Sequence, residues 1–128
     1  MIIKEDELKK CILFVVEPYL QEYGFILIES SLTIDSKIVL DALLKYQNQT
    51  FHIEVTFILD YQNNGFVFKD IEGKVKYSFI ELSFLQVFKQ FIKIPHLIIK
   101  DNLIYYPITL PISQMVLKKH HLIIKIRD

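Results

Sequence analysis

The ten residues FHIEVTFILD, Phe51 to Asp60, alternate apolar and polar almost without a break, and no other stretch limits the fold as tightly. Successive side chains of an extended chain point to opposite faces. Phe51, Ile53, Val55, Phe57 and Leu59 therefore share one side of a strand, and His52, Glu54, Thr56 and Asp60 the other. The same period begins at Phe25. Ile26, Ile28, Leu32 and Ile34 line one face of a first strand, and Asp35-Ser36 turns the chain. Ile38, Leu40, Ala42, Leu44 and Tyr46 then line a second strand, against Lys37, Asp41 and Lys45. NQT is the next turn, and YQNNG, after the alternating strand, carries an Asn-Gly hairpin signal. A fourth strand runs from Phe66 through Val75, Tyr77 and Phe79, with Gly73 as a bulge or bend in its path. These stretches predict an antiparallel meander of about four strands with short loops.

Two segments have helical spacing instead. In EDELKKCILFVVEPYLQEYG, Leu8, Cys11, Ile12, Val15, Tyr19 and Tyr23 recur on one face. Acidic residues in the first turn suit the helix dipole, and Gly24 is a natural terminator. Pro18 removes a backbone donor, but the apolar stripe resumes at Tyr19, which favours one kinked helix over two. The second segment, SFLQVFKQFIKIP, starts with Ser83 and Gln86 at capping-box spacing and stops before Pro95. Its large residues Phe84, Val87, Phe88 and Phe91 fall on one face, and Leu85 and Ile92 widen it. Beyond Pro95, HLIIKDNLIYYPITLPI reads as a hairpin turning at Asp101-Asn102, with Pro107 and Pro111 demoting its second arm to an edge strand or an irregular segment. A last strand holds Leu122, Ile124 and Ile126 inward. The expected architecture is α+β: one domain, residues 1–128, with a strongly curved antiparallel sheet of about six to seven strands wrapped on a long N-terminal helix and a short second one.

Composition narrows the function. Acidic and basic residues balance at 15 each, and Arg127 is the one arginine among the cations. There is no basic surplus to neutralise a phosphate backbone and almost no arginine fork to read bases, so nucleic acid is not an expected partner. A single cysteine, Cys11, rules out an intramolecular disulfide. No window of 18 residues is free of charge, so no membrane span is expected, and the chain reads as soluble and cytoplasmic. With 3 glycines in all, a phosphate-cradling loop has no material, and no nucleotide, cofactor or zinc motif occurs.

Catalytic and metal candidates are thin. His120 and His121 are adjacent, so their side chains diverge and do not easily share an ion. His52 and Glu54 share a face with Thr56 and Asp60, which reads as a solvated polar face rather than a metal site. His96 reads as a surface turn residue. Cys11, among Leu8, Ile12 and Val15, reads as a buried structural thiol. No catalytic residue, metal ligand or cofactor is assigned, and an enzyme is the minority reading.

What stands out is apolar surplus: 52% hydrophobic residues, 10 of them Phe, in 128. Part of it fits AT-rich codon usage. The rest exceeds what a domain this small can bury and is expected to meet a ligand or a partner. From about Phe51 to Arg127 the order of elements resembles modules of the tubular lipid-binding (TULIP-like) superfamily. The resemblance lies in a strand ending KVKYSFIELS, the short helix FLQVFKQF, then PHLIIKDNLIYYPITLPI and a closing LIIKI. It implies a curved sheet around a helix with a lipid groove between them. The leading expectation is therefore non-catalytic binding of a lipid or other apolar ligand, lined by Phe84, Phe88, Phe91 and Ile92 with Phe57 and Tyr77 opposite. The alternative is a protein-interaction module, a homodimer or a subunit of a larger assembly, using the same apolar face.

Overall fold

The structure, a computed structural model, describes residues 1–127. Strand β1 (Ile2–Lys4) leads into helix α1 (Glu5–Glu22), followed by β2 (Ile26–Ile34), β3 (Ile38–Tyr46), β4 (Gln49–Gln62), β5 (Gly65–Tyr77) and β6 (Ile80–Ser83). Helix α2 (Phe84–Phe91) comes next, then β7 (Ile98–Lys100), β8 (Leu103–Pro107), β9 (Ile112–Lys118) and β10 (His121–Ile126). The fold is α+β with antiparallel sheets and two helices, but the strands described number ten and divide between two sheets. The larger runs β2-β3-β4-β5-β8-β7, with β6 paired to the far end of β5, and the smaller is β1-β10-β9.

Register converts the alternation into a core. Ile38 lies opposite Phe57, Leu40 opposite Val55 and Leu44 opposite Phe51, while Leu59 meets Phe68 and Tyr61 meets Phe66. Directly opposed residues share a face, so these strands form one continuous apolar inner face. The small sheet covers it. Ile112, Met115, Leu122 and Ile124 join Ile34, Ile38, Phe57 and Leu59, with Leu8 of α1, in one buried cluster. At roughly 25 cal/mol per Å² of apolar area removed from water, this contact is the main source of stability. Tyr61 carries a hydroxyl into the core and satisfies it. The hydroxyl donates to the Ile108 carbonyl at 2.8 Å and accepts from the Leu110 N–H at 2.7 Å, pinning the crossover into β9.

Two-residue turns set the meander. Gln47-Asn48 and Asn63-Asn64 both take positive φ between the paired ends Tyr46–Gln49 and Gln62–Gly65. That backbone twist matches the twist of the flanking strands. The hairpin after β4 thus turns one residue before the Asn-Gly signal, and Gly65 already belongs to β5. A Cβ there would run into the far end of the Tyr105 ring, which would have to swing aside.

Several local expectations are overturned. The stretch from Phe66 to Phe79 is not one strand: it turns at Ser78-Phe79, with Ser78 at φ 55°, and returns as β6. The bulge in β5 lies at Asp70-Ile71, where the register slips, and not at Gly73. A second bulge, between Leu27 and Glu29, reverses the phase of β2. Leu32 and Ile34 are therefore buried while Ile26 and Ile28 face solvent, instead of all four sharing a face. Ile126, expected inward, is half exposed at the end of β10 although it lies opposite buried Ile112; the slip there places its extra residue, Ser113, on β9. Strand β8 is interior, between β5 and β7, because Pro107 is its last residue and its missing N–H interrupts no ladder.

Candidate functional site

The candidate apolar face is built by α2 and the hairpin β5–β6. Ser83 caps α2, its Oγ accepting a long bond of 3.5 Å from the Gln86 N–H. The helix can lie close on the sheet because Gly73 beneath it has no side chain: a Cβ there would come within 2.6 Å of the Glu54 carbonyl oxygen and 3.0 Å of the Phe84 Cβ. Phe84, Leu85 and Phe88 pack on the core, yet no residue within α2 is fully buried. Beside it, every residue of β6 is exposed, and Phe79 at the hairpin tip is 92% exposed.

The six residues expected to line a groove divide into two groups. Phe57 and Ile92 are buried, at 6% and 7% exposure, and Phe57 sits 5.6 Å from the Phe68 ring. Phe84, Phe88, Phe91 and Tyr77 are half-buried. Phe84 and Phe88 meet in a tilted pair at 5.6 Å between centroids. Phe91 and Tyr77 belong instead to an aromatic cluster at the end of the sheet. Phe91 meets Tyr23, the C-cap of α1, edge-on at 5.0 Å and Phe25 at 5.9 Å. Phe25 stacks on Tyr46, and Phe51 stacks on Tyr77. This cluster ties the C-termini of both helices to the ends of β2 to β5. Its members come from four separate stretches, so no local signal marks it.

The outer face of the large sheet carries a charge network. Asp41 lies directly opposite Glu54 across β3 and β4, an unfavourable pairing of like charges unless a cation intervenes. Lys76 supplies one, 3.4 Å from Glu54, and the His52 ring lies between the two carboxylates: Nε2 contacts Asp41 and Nδ1 lies 3.5 Å from Glu54. Among the described residues, Asp41, His52 and Glu54 are the one group whose ligand-type atoms come within 4.8 Å of one another. Both ring nitrogens already face carboxylates, so the set closes on itself. The partnership of His52 with Asp41, 11 residues earlier, is invisible to spacing.

A second junction joins α1 to both sheets. The Glu5 carboxylate accepts from the Ile34 N–H at 2.7 Å and faces His120 Nδ1 at 3.2 Å, while the His120 N–H donates to the Ile34 carbonyl. The Ile34 bond holds the Glu5 carboxyl below the usual carboxylate range; desolvation opposes this and His120 reinforces it. Farther along, Lys9 reaches the Ser30 carbonyl at 3.4 Å. Two α1 side chains thus satisfy outward-facing backbone of edge strand β2, blunting it against further pairing.

Cys11 is exposed, contrary to the expectation of a buried thiol. It lies on the outer side of α1, because Leu8 and Ile12 take the core positions. No helix among the described residues is long and apolar enough to cross a membrane. No family model, no curated protein and no solved structure matches the chain.

Proposed function

We propose that this chain is a non-catalytic protein-interaction module that takes its partner on apolar surface left open by its own fold. The observation that carries this is surface area. A folded monomer of 15.2 kDa exposes roughly 7,100 Å² by the usual scaling. This chain exposes 8204 Å², an excess of roughly 1,100 Å², against the roughly 800 Å² each partner buries in a standard interface. The excess is apolar where it is most visible, at Phe79 and at Phe14, 92% and 82% exposed. Isolated exposed leucines are ordinary; a whole phenylalanine ring in water at Phe79, next to exposed Ile80 and Leu82, is not.

Binding of a lipid or other apolar ligand under α2 is the second reading. The half-buried rings of Phe84, Phe88, Phe91 and Tyr77 support it, as does the TULIP-like order of elements. Against it, Phe57 and Ile92 are already covered by the chain's own side chains, whereas the wall of an empty groove keeps area open. Light scattering over a concentration series and native mass spectrometry of the purified protein separate the two. An oligomer, or a protein partner lost on Phe79→Ser, supports the module. A co-purified lipid on a protein that stays monomeric overturns it in favour of the groove.

A further inference from the structure

We propose that His52 and Glu54 are the protein ligands of a zinc ion on the outer face of the large sheet, with Asp41 holding the ring. The site is independent of the apolar surface and of the interaction-module reading. Strand register builds it. Asp41 of β3 lies directly opposite Glu54 of β4, and His52, two residues before Glu54, shares that face. Carboxylates opposed across a ladder repel each other unless positive charge lies near both. Lys76 serves Glu54 at 3.4 Å. Among the described residues, His52 is the one basic side chain within 4.0 Å of the Asp41 carboxylate.

The set closes on itself in space, but one proton cannot satisfy both of its sides. A neutral imidazole carries its hydrogen on one nitrogen and a lone pair on the other. Nε2 is hydrogen-bonded to Asp41, which leaves the lone pair on Nδ1. Nδ1 faces Glu54 Oε1 at 3.5 Å, beyond the roughly 2.7–3.2 Å of a nitrogen–oxygen hydrogen bond. Two electron-rich atoms thus face each other across a gap that no hydrogen closes. The gap has the width of a metal's bite. With legs of about 2.0–2.2 Å and a tetrahedral angle, two ligands of one zinc ion stand about 3.3–3.6 Å apart. Asp41 takes the place of the carboxylate that, behind a zinc-bound imidazole, accepts the other ring N–H, fixes the tautomer and raises the basicity of the ligating nitrogen. One imidazole and one carboxylate suit zinc rather than calcium or magnesium, which take oxygen ligands alone. The three side chains are 36–43% exposed, so the ion enters from solvent and water completes its coordination.

Lys76 is the competitor. Its Nζ lies 3.4 Å from the same Oε1 that faces Nδ1, so zinc and the ammonium exclude each other there. The ammonium has another place to go. Lys76 lies directly opposite Glu81 across β5 and β6, and that carboxylate can receive it as the ion arrives.

The test is zinc chloride titrated by calorimetry into the full chain after treatment with EDTA. Cys11→Ser is the reference protein, because an exposed thiol takes zinc by itself. The reference should bind one zinc per chain. Added to it, Asp41→Asn should weaken binding about tenfold, and His52→Ala, which removes a direct ligand, by at least about a hundredfold. Lys76→Met should tighten binding several-fold, the reverse of what loss of a merely structural ion pair would do. Nitrogen-15 NMR of the His52 ring is the second readout: the Nδ1 resonance should shift on zinc, and Asp41→Asn should lose the tautomer preference. No uptake of zinc up to about 1 mM overturns the site. So does uptake undiminished in His52→Ala, which would place an adventitious ion at the other histidines or the N-terminus. Unchanged affinity in Lys76→Met overturns Glu54 as a ligand.

Discussion

Replacing Gly73 by alanine decides whether α2 rests as closely on the sheet as the geometry says. In a strand, Gly→Ala ordinarily stabilises by about 0.4–1 kcal/mol, because the unfolded chain loses freedom. At Gly73 the new Cβ would sit 2.6 Å from the Glu54 carbonyl oxygen, 2.9 Å from the Val55 Cβ and 3.0 Å from the Phe84 Cβ. Ordinary contacts begin near 3.4 Å, and the tightest of the three is backbone in the middle of β4, which cannot swing aside. Overpacking of this size costs about 1–3 kcal/mol. The steric cost wins, leaving a net loss of about 1–2 kcal/mol. At an unfolding entropy of about 2.1 cal/mol/K per residue, the melting temperature of a chain this long falls by about 4–7 °C. Thermal unfolding by far-ultraviolet circular dichroism measures the loss, and the near-ultraviolet signal reports whether the aromatic rings under α2 have moved. A variant that melts higher than wild type would mean the entropy gain prevails, and with it that the space around Gly73, between β4 and α2, is open.

Tyr61→Phe removes the hydroxyl that serves Ile108 and Leu110 and strands both backbone groups; a loss of about 1–3 kcal/mol in urea unfolding is expected, and a neutral result would mean water replaces the hydroxyl. Glu5 carries a lowered folded-state pKa. Its contribution is therefore present above the ordinary carboxylate range and is lost as pH falls through that range to the folded value. Stability of Glu5→Gln should accordingly depend less on pH below about 4.5 than that of wild type, and parallel curves would sink the Ile34 contact. Phe79→Ala, which alters a ring 92% exposed, should leave monomer stability within about 0.5 kcal/mol of wild type; a larger loss would show that the β5–β6 tip packs inward.

The elements were largely legible, and the reasons are local. A strict period of two from Phe51 to Phe57 admits no helix, and the apolar repeat in FLQVFKQF, capped at Ser83, admits little else. Bulges were not legible. The slip at Leu27/Glu29 leaves the apolar spacing untouched while moving Ile26 and Ile28 into solvent. A bulge is a property of two paired strands, and one strand's sequence does not contain its partner's register. The same limit hid the His52–Asp41 contact and the Glu5–His120 contact, the latter joining residues 115 apart.

By itself the sequence determined a one-sided antiparallel sheet, two helices, and an apolar content beyond what so short a chain conceals, because periodicity and composition act residue by residue. Only the tertiary structure decided which apolar groups are left over. Cys11 and Leu8 have equal claims to the core when read along α1; Glu5 and Lys9, by gripping the edge of β2, fix the helix so that Leu8 is buried and Cys11, with Phe14 beside it, faces water. Which face of a two-sided apolar helix is free depends on where its polar neighbours find partners, and those partners lie on a strand the helix's own sequence does not mention.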